Sequence, residues 1–203
     1  SEMCIRDSRD TRSVPELTSL EIRSLDAGSW FAPQYTGVPP AGFEQAVRWC
    51  RANRVWLNIE IKPAKGAELE TGRVVGRLTG ELYADLVREG GATQAGVVSD
   101  APLFSSFKPD ALRGAMETAP NIPRGFLVDE LPENWREVLE EMKCVALHCN
   151  QRRLTPEFAR EVKALGYWLF CYTVNDPRRA RELFSWGVDG LCTDRLDLVR
   201  PSL

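Results

Sequence analysis

The chain has 203 residues, of which 43% are hydrophobic and 27% charged, a composition typical of soluble globular proteins. Its 26 basic residues are scattered among 29 acidic ones and leave a net charge of −3, so no basic stripe predicts a nucleic-acid partner. No apolar run approaches the roughly 20 residues that a membrane-spanning helix requires, and we expect no membrane partner.

The first ten residues are expected not to belong to the folded protein. Residues 1–8 read Ser-Glu-Met-Cys-Ile-Arg-Asp-Ser, which resembles the translation of a transposon adapter used in sequencing libraries. The segment has neither hydrophobic periodicity nor a turn signature, so residues 1–10 are interpreted as a non-native tail, with a disordered native tail as the alternative. On the first interpretation, native sequence upstream is missing, together with any signal peptide.

Cysteine usage predicts reduced, buried thiols and a cytoplasmic location. The chain has a single histidine and no Cys-x-x-Cys pair, so a zinc site is not expected. Outside the first ten residues, the cysteines are Cys50, Cys144, Cys149, Cys171 and Cys192.

From residue 43 onward, helix-like and strand-like segments alternate without interruption. Thr155 and Asp176 are predicted N-caps, each followed by a proline at the first helical position. The predicted helices span 43–53, 71–88, 109–118, 132–142, 155–166 and 176–187. The predicted strands span 55–61, 102–107, 124–128, 144–148, 168–174 and 188–193.

Six successive βα units predict an α/β fold with a parallel sheet. A complete (β/α)₈ TIM barrel usually needs about 250 residues, so we expect a barrel that lacks its first two strands. Residues 43–203 form this partial barrel domain. Residues 11–42 are rich in Pro, Gly and Ser, only 17–25 look helical, and the stretch is interpreted as an excursion from the barrel.

The strand at 55–61 carries the most informative charges. Because side chains alternate along a strand, Glu60 and Lys62 share one face and Ile59 and Ile61 the other. Both charged residues would point into the barrel at its carboxyl end, where TIM-barrel enzymes place their active sites. A carboxylate suits a hard divalent cation and an ammonium suits a phosphate oxygen. The alternative is a structural ion pair inside the barrel.

Several motifs, in order along about residues 14–200, resemble those of the glycerophosphodiester phosphodiesterase family. The similarity is greatest to the bacterial cytosolic enzymes that hydrolyse deacylated phospholipids. The motifs are Leu25-Asp26-Ala27-Gly28-Ser29-Trp30, Asn58-Ile59-Glu60-Ile61-Lys62-Pro63, Ser105-Ser106-Phe107, Pro123-Arg124-Gly125, Tyr172-Thr173-Val174-Asn175, Trp186-Gly187-Val188-Asp189-Gly190 and Thr193-Asp194.

The resemblance implies metal-dependent hydrolysis of a glycerophosphodiester to sn-glycerol 3-phosphate and an alcohol. It implies a metal-ligand role for Glu60, with Ca²⁺ or Mg²⁺ as the ion, and a phosphate contact for Lys62. Phe107 and Tyr172 are expected to line the substrate pocket, with ordinary packing as the alternative. Residues 11–42 would be the remnant of a small subdomain inserted in the barrel, and Ser29 and Trp30 would belong to it.

The chain departs from the family pattern at its beginning. The His-Arg-Gly strand, the Glu-x-Asp strand and the His-Asp dipeptide of the family are absent, so no catalytic histidine pair is present and the fragment is expected to be inactive. His148 is interpreted either as a residue of the barrel mouth or as a hydrogen-bonded structural histidine. Asp194 is interpreted as a helix N-cap, and Arg178, Arg179 and Arg181 as a solvated helix face.

Two rival functions are weighed against the hydrolase. One is a non-catalytic barrel that acts as a binding protein, and the other is a different phosphate-handling TIM-barrel enzyme such as an isomerase. The ordered motifs disfavour the isomerase. The expected partner is a small phosphodiester, and the sequence leaves its alcohol, the preferred ion and the oligomeric state open.

Overall fold

A computed structural model describes Ser8 and residues 10–87 and 100–200. The chain divides into one unit that ends at Val55 and a second that begins at Trp56. The predicted tail, residues 1–10, lies mostly outside the described residues, as does position 88 at the end of a predicted helix. The predicted domain boundary after residue 42 stays a prediction.

Short helical segments joined by loops make up the first unit. Helix α1, Ser19–Ser24, begins with a capping box in which Thr18 Oγ1 accepts from the Glu21 amide at 3.3 Å. In return, the Glu21 carboxylate accepts from the Thr18 amide at 2.8 Å. Helix α2 spans Phe43–Ala52. One-turn 3₁₀ helices lie at Val14–Glu16 and Pro33–Tyr35.

Asp26 organises the loop between α1 and α2. Its carboxylate accepts hydrogen bonds from the backbone amides of Gly28, Ser29 and Gly37, each at 2.9 Å. Bonds to the ionised form stabilise it, so the amides of Gly37, Ser29 and Gly28 lower the pKa of Asp26 to about 2. Three backbone amides and a single carboxylate therefore hold the loop that carries Ser29 and Trp30.

A parallel sheet of six described strands forms the second unit, with the strands in chain order from β1 to β6. Each strand but the last is followed by a helix on the way to its neighbour, and the six parallel strands confirm the predicted α/β fold of a partial TIM barrel. The strands are β1 Asn58–Glu60, β2 Leu103–Ser106, β3 Arg124–Val128, β4 Ala146–Asn150, β5 Trp168–Tyr172 and β6 Gly190–Leu191. The helices are α3 Glu68–Leu82, α4 Ala84–Val87, α5 Pro109–Thr118, α6 Trp135–Glu141, α7 Pro156–Ala164 and α8 Pro177–Ser185.

Several predicted boundaries were wrong by a few residues. The strand expected at 55–61 is regular only over β1, and the helix expected at 71–88 is interrupted at Tyr83 between α3 and α4. The strand predicted at 144–148 begins two residues later, after a turn in which Lys143 has a positive φ of 48°. The N-caps were confirmed: Thr155 accepts from Phe158 N at 3.2 Å and Asp176 from Arg178 N at 2.8 Å.

The sheet has an apolar face towards the helices and a mixed concave face. Side chains that alternate along β3, β4 and β5 join residues of α5 to α8 in one hydrophobic core. The strand residues of this core are Phe126, Val128, Leu147, Cys149, Leu169 and Cys171. The residues between them, among them Leu127, His148 and Phe170, face the opposite way, towards the barrel axis.

Arg124 anchors the amino-terminal end of β3. It is 1% exposed, and burial lowers the pKa of its guanidinium. The guanidinium donates to the carbonyls of Met142 at 2.8 Å, Ile122 at 2.7 Å, Pro120 at 3.1 Å and Lys143 at 3.3 Å. These carbonyls stand in for a carboxylate partner, so the Pro-Arg-Gly motif has a structural role here.

Helices α3 and α5 approach each other closely because glycines line their contact. A Cβ at Gly72 would lie 2.1 Å from Ala111 O, and one at Gly114 would lie 2.1 Å from Leu69 O. Gly80, in the same helix as Gly72, has only Ala119 Cβ near its absent side chain, at 3.8 Å.

Within the described residues, no helix is long and apolar enough to cross a membrane.

These glycines give a matched test of the packing. Gly72→Ala should lower the free energy of unfolding by about 1–3 kcal/mol, because the methyl group overlaps backbone atoms of α5. Gly80→Ala should instead raise it by up to about 1 kcal/mol, because alanine is the better helix former and space is available. Urea unfolding of both variants measures the difference. Equal effects of the two substitutions would contradict the close packing of α3 and α5.

Candidate active site

Glu60 and Lys62 project together from the carboxyl end of β1. Lys62 Nζ lies 3.5 Å from Glu60 Oε2, and their side chains are 56% and 29% exposed. The flanking Ile59 and Ile61 are 9% and 3% exposed and belong to the other face of the strand. The predicted alternation is therefore confirmed, and both charges lie on the concave face. They also form the ion pair that was considered as the alternative to a ligand site.

Phe107 and Tyr172 meet across the same end of the sheet. Their ring centroids are 5.9 Å apart with the planes at 86°, an edge-to-face contact between the end of β2 and the end of β5. The Tyr172 hydroxyl donates to Val128 O at 2.8 Å, so its ring leans across β4 towards the end of β3. The two aromatic residues predicted to line the pocket are thus brought into contact.

The charges of Glu60 and Lys62 act on Tyr172 and Cys192, at the other side of the sheet. The pKa of Tyr172 is raised, chiefly by burial and then by the carboxylates of Asp129 and Glu60 and the thiols of Cys149 and Cys171. The pKa of the Cys192 thiol is raised by burial and by Asp194 and Glu60, with Lys62 acting in the opposite direction. Charges on β1 are therefore felt by groups on and beyond β5, as expected for a curled sheet.

Asp129 and Asn150 were missed by the sequence reasoning. Asn150 lies opposite Tyr172 in the pairing of β4 with β5, and its side-chain amide donates to Asp129 Oδ1 at 2.7 Å. Arg153 lies 3.8 Å from Asp129 and 2.7 Å from Glu130. A usable signal was present, because Asp129 directly follows an apolar strand at the edge where TIM barrels place functional residues.

His148 lies below this rim, inside the sheet. It is 4% exposed, its ring stacks on Phe170 at 5.1 Å between centroids, and its Nε2 has no hydrogen-bond partner in the described part of the chain. Burial lowers the pKa of His148 to about 4. Of the two alternatives, a residue of the barrel mouth is wrong, and for a structural histidine no hydrogen bond through Nε2 is found among the described residues. A buried imidazole of this kind is poorly placed for proton exchange with a ligand at the rim.

Glycines make room for the rings on the concave face. A Cβ at Gly125 would lie 2.8 Å from His148 Nε2, and one at Gly190 would lie 2.1 Å from Phe170 Cε2. Ser105 is paired in register with both Glu60 and Gly125, and its Oγ is buried without a partner among the described residues. The rings of His148 and Phe170 therefore occupy the space that side chains at Gly125 and Gly190 would fill.

Two weaker predictions were wrong. Asp194 does not cap a helix, since residues 195–200 form only a turn, and its carboxylate instead accepts from Asn175 Nδ2 at 3.2 Å. Arg179 is not solvated: its guanidinium lies 4.6 Å from the centre of the Trp186 ring and bonds to Gln151 and Glu182. Arg178 and Arg181 are exposed, as expected.

Glu60 carries a carboxylate, the kind of oxygen group that Ca²⁺ and Mg²⁺ prefer as a ligand. Within residues 10–87 and 100–200, no three carboxylate, thiol or imidazole side chains come together as a complete metal site. The donor type at Glu60 fits a hard divalent cation, and further ligands would be needed to complete a site. Its ion pair with Lys62 does not enclose it, because both side chains retain exposed surface.

Comparison with known proteins gives a family match over nearly the whole chain. The model of the glycerophosphoryl diester phosphodiesterase family matches residues 5–198. A glycerophosphodiester phosphodiesterase of Bacillus subtilis is 26% identical over 201 residues, covering 91% of this chain and 64% of the relative. One from Caldanaerobacter subterraneus is 28% identical over 182 residues, covering 89% and 69%.

A solved structure agrees with these relatives. It is a phosphodiesterase of Oleispira antarctica in complex with the product sn-glycerol-3-phosphate, with a TM-score of 0.78 and 29% identity. The match covers 93% of this chain and 71% of that protein. The chain thus spans about two thirds of the length of the proteins it matches.

The single histidine allows a direct test of the buried interior. The unfolded chain binds a proton at a His148 pKa near 6.5 and the folded chain only near 4, so lowering the pH favours unfolding within that window. His148 should cost about 2 kcal/mol of stability at pH 5 relative to pH 7. Nuclear magnetic resonance (NMR) titration of its imidazole should show a neutral ring at pH 5. In His148→Gln, the stability lost between pH 7 and pH 5 should be smaller by that amount. A ring that titrates near pH 6.5 would contradict the buried placement.

Proposed function

Because this chain belongs to the glycerophosphoryl diester phosphodiesterase family, we propose that it carries part of the site that hydrolyses a glycerophosphodiester to sn-glycerol 3-phosphate and an alcohol. The observation that carries the proposal is the Glu60–Lys62 pair on the concave face at the carboxyl end of β1. A carboxylate and an ammonium held 3.5 Å apart can act on a cation and on a phosphate at neighbouring positions.

Lys62 binds the phosphate. Its ammonium is more than half exposed, and the contact to Glu60 is too long for a strong hydrogen bond, so donors are free to turn towards a ligand oxygen. As the phosphodiester is attacked, negative charge grows on the non-bridging oxygens, and a fixed ammonium stabilises that charge more than it stabilises the ground state.

Glu60 would hold the divalent cation that the family generally uses. A bound cation of this type polarises the phosphate as a Lewis acid. Glu60 also orients Lys62 when no ligand is present, and a ligand phosphate replaces the carboxylate as the partner of the ammonium. Ca²⁺ and Mg²⁺ both accept this oxygen ligand, and the preference between them depends on the other ligands.

Phe107 and Tyr172 form the wall of the site opposite β1. Their contact gives the substrate a rigid apolar surface, because the hydrogen bond from Tyr172 to Val128 fixes one ring and the edge-to-face contact fixes the other. A rigid wall orients the group attached to the phosphate at little entropic cost.

Proton transfer needs groups other than His148. This histidine is buried below the rim and neutral at pH 7, so it can neither activate water nor protonate a leaving alkoxide at Glu60 and Lys62. We therefore propose that these 203 residues bind product and substrate without turning substrate over, and that the general acid and base lie on segments of the family fold outside the described sheet. The same observation favours a second candidate, a barrel that binds glycerophosphodiesters without hydrolysing them.

Equilibrium binding of sn-glycerol 3-phosphate in the presence of Ca²⁺ tests the proposal. Lys62→Met should weaken this binding by about 10- to 100-fold, because a charge-assisted hydrogen bond to phosphate is lost. Lys143→Met is the matched control, since Lys143 is an exposed lysine at the opposite ends of the strands. Titration calorimetry measures both. Equal affinities for the two variants would remove the proposed role of Lys62.

Glu60→Gln tests cation binding separately from phosphate binding. The substitution keeps the shape of the side chain and removes its charge, so Ca²⁺ affinity should fall about tenfold or more while Lys62 remains in place. Stability should change by less than about 1 kcal/mol, because the ion pair is partly exposed. Unchanged Ca²⁺ binding would contradict a ligand role for Glu60. Release of sn-glycerol 3-phosphate by the 203-residue chain would contradict its expected lack of turnover.

A further inference from the structure

Two side chains on the concave face of the sheet each bury a polar atom that has no partner among the described residues. They are Ser105 on β2, through Oγ, and His148 on β4, through Nε2, and the two residues are 0% and 4% exposed. A buried polar atom without a hydrogen bond is costly, so such atoms are normally bonded to protein or to an internal water. Arg113 Nε is the third such atom in the described part of the chain, and it lies 3.5 Å from the Asp110 carboxylate. Ser105 and His148 have no charged neighbour of this kind at the two atoms concerned.

Gly125, on the strand between them, brings these two atoms near each other. Ser105 is paired in register with Gly125, and Gly125 is paired with Ala146, two residues before His148. The imidazole extends from β4 over β3, because a Cβ at Gly125 would lie 2.8 Å from His148 Nε2. Neighbouring strands are about 4.8 Å apart, so Nε2 lies roughly one strand spacing from the side chain of Ser105.

The chemistry of the two groups selects a small neutral ligand. Burial lowers the pKa of His148 to about 4, so the imidazole is neutral at pH 7, as is the serine hydroxyl. A gap of roughly 5 Å is too long for one hydrogen bond and suits two bonds of about 2.8 Å that meet at a single atom. Water both donates and accepts, so it can bond to the hydroxyl and to Nε2 together. The nearby Leu127 and Ala146 are buried and apolar, and their side chains offer no competing partner.

We propose that one internal water bridges Ser105 Oγ and His148 Nε2 across Gly125. This water site goes beyond the proposed function and does not depend on it. The bridge joins β2 to β4 on the concave face, whereas the backbone hydrogen bonds join only adjacent strands. It gives a role to the inward-facing serine of the Ser-Ser-Phe motif and to the glycine of the Pro-Arg-Gly motif, which leaves room for the imidazole to reach over β3.

A double-mutant cycle at pH 7 tests whether the two residues are coupled. Ser105→Ala should raise the equilibrium constant of unfolding about 5- to 30-fold, because the water and Nε2 lose part of their hydrogen bonding. In His148→Phe, the same serine substitution should have an effect at least about fivefold smaller, because the bridge is already absent.

Ser106→Ala is the matched control for this cycle. Ser106 is also 0% exposed, but its Oγ donates to Ile61 O at 2.7 Å on the other face of the sheet. Its effect should be the same within about twofold with and without His148→Phe. Urea unfolding measures all the variants. If Ser105→Ala and Ser106→Ala are equally independent of His148→Phe, the proposal is overturned.

Oxygen-17 relaxation dispersion of the solvent distinguishes a water bridge from a direct hydrogen bond, because it counts long-lived internal waters. The double variant Ser105→Ala/His148→Phe should have one such water fewer than the unaltered chain, and Ser106→Ala should have the same number. Coupling without the loss of a water would indicate a direct bond and overturn the proposal.

The unaltered chain provides a test that needs no variant to fold. Its single histidine makes the ring protons of His148 directly assignable by NMR. A water bonded to Nε2 lies next to these protons, so they should show nuclear Overhauser contacts with water although the residue is 4% exposed. Ring protons without any contact to water would overturn the proposal.

Discussion

Ile59 and Ile61 are buried on the side of the sheet that faces the helices, and their burial fixes the direction of the side chains between and beyond them. Since neighbours on a strand point to opposite faces, Glu60 and Lys62 must project into the concave side. Each parallel strand is paired in register with the next, so the ends of β2, β3, β4 and β5 bring their own residues to the same rim. The burial of Ile59 and Ile61 therefore determines where Glu60 and Lys62 lie, and the other residues of the candidate site surround this charged pair.

Two stacked rings lie on the concave face below that rim. Gly125 and Gly190 leave space that the rings of His148 and Phe170 occupy, and the two rings stack on each other. The stacked rings lie below the candidate site, and His148 is too deeply buried to exchange protons with a ligand there. Arg124 plays a comparable part at the opposite end of β3, where four carbonyls hold a buried guanidinium.

The order of helices and strands could be predicted because apolar strands alternate with amphipathic helices, and the last two helices also have a capping residue followed by proline and a glycine at the end. Gly166 and Gly187, with φ of 85° and 95°, end helices as expected. The pairing of Glu60 with Lys62 followed from alternation within one strand. The convergence of Asp129 and Asn150 on Tyr172 depends on register across three strands, and a local pattern does not contain it. The interruption at Tyr83 and the failure of the Asp194 cap also depend on tertiary packing rather than on local propensity.

The central claim is that Glu60 and Lys62 hold a divalent cation and a phosphate side by side. Mn²⁺ is a paramagnetic substitute for Ca²⁺, and it broadens the phosphorus NMR signal of a phosphate bound next to it. With Mn²⁺ present, a substoichiometric amount of the chain should broaden the phosphorus signal of sn-glycerol 3-phosphate well beyond the broadening in a protein-free mixture. Either Glu60→Gln or Lys62→Met should remove the additional broadening. Broadening that is equal in the chain and in both variants would show that cation and phosphate do not meet at this strand.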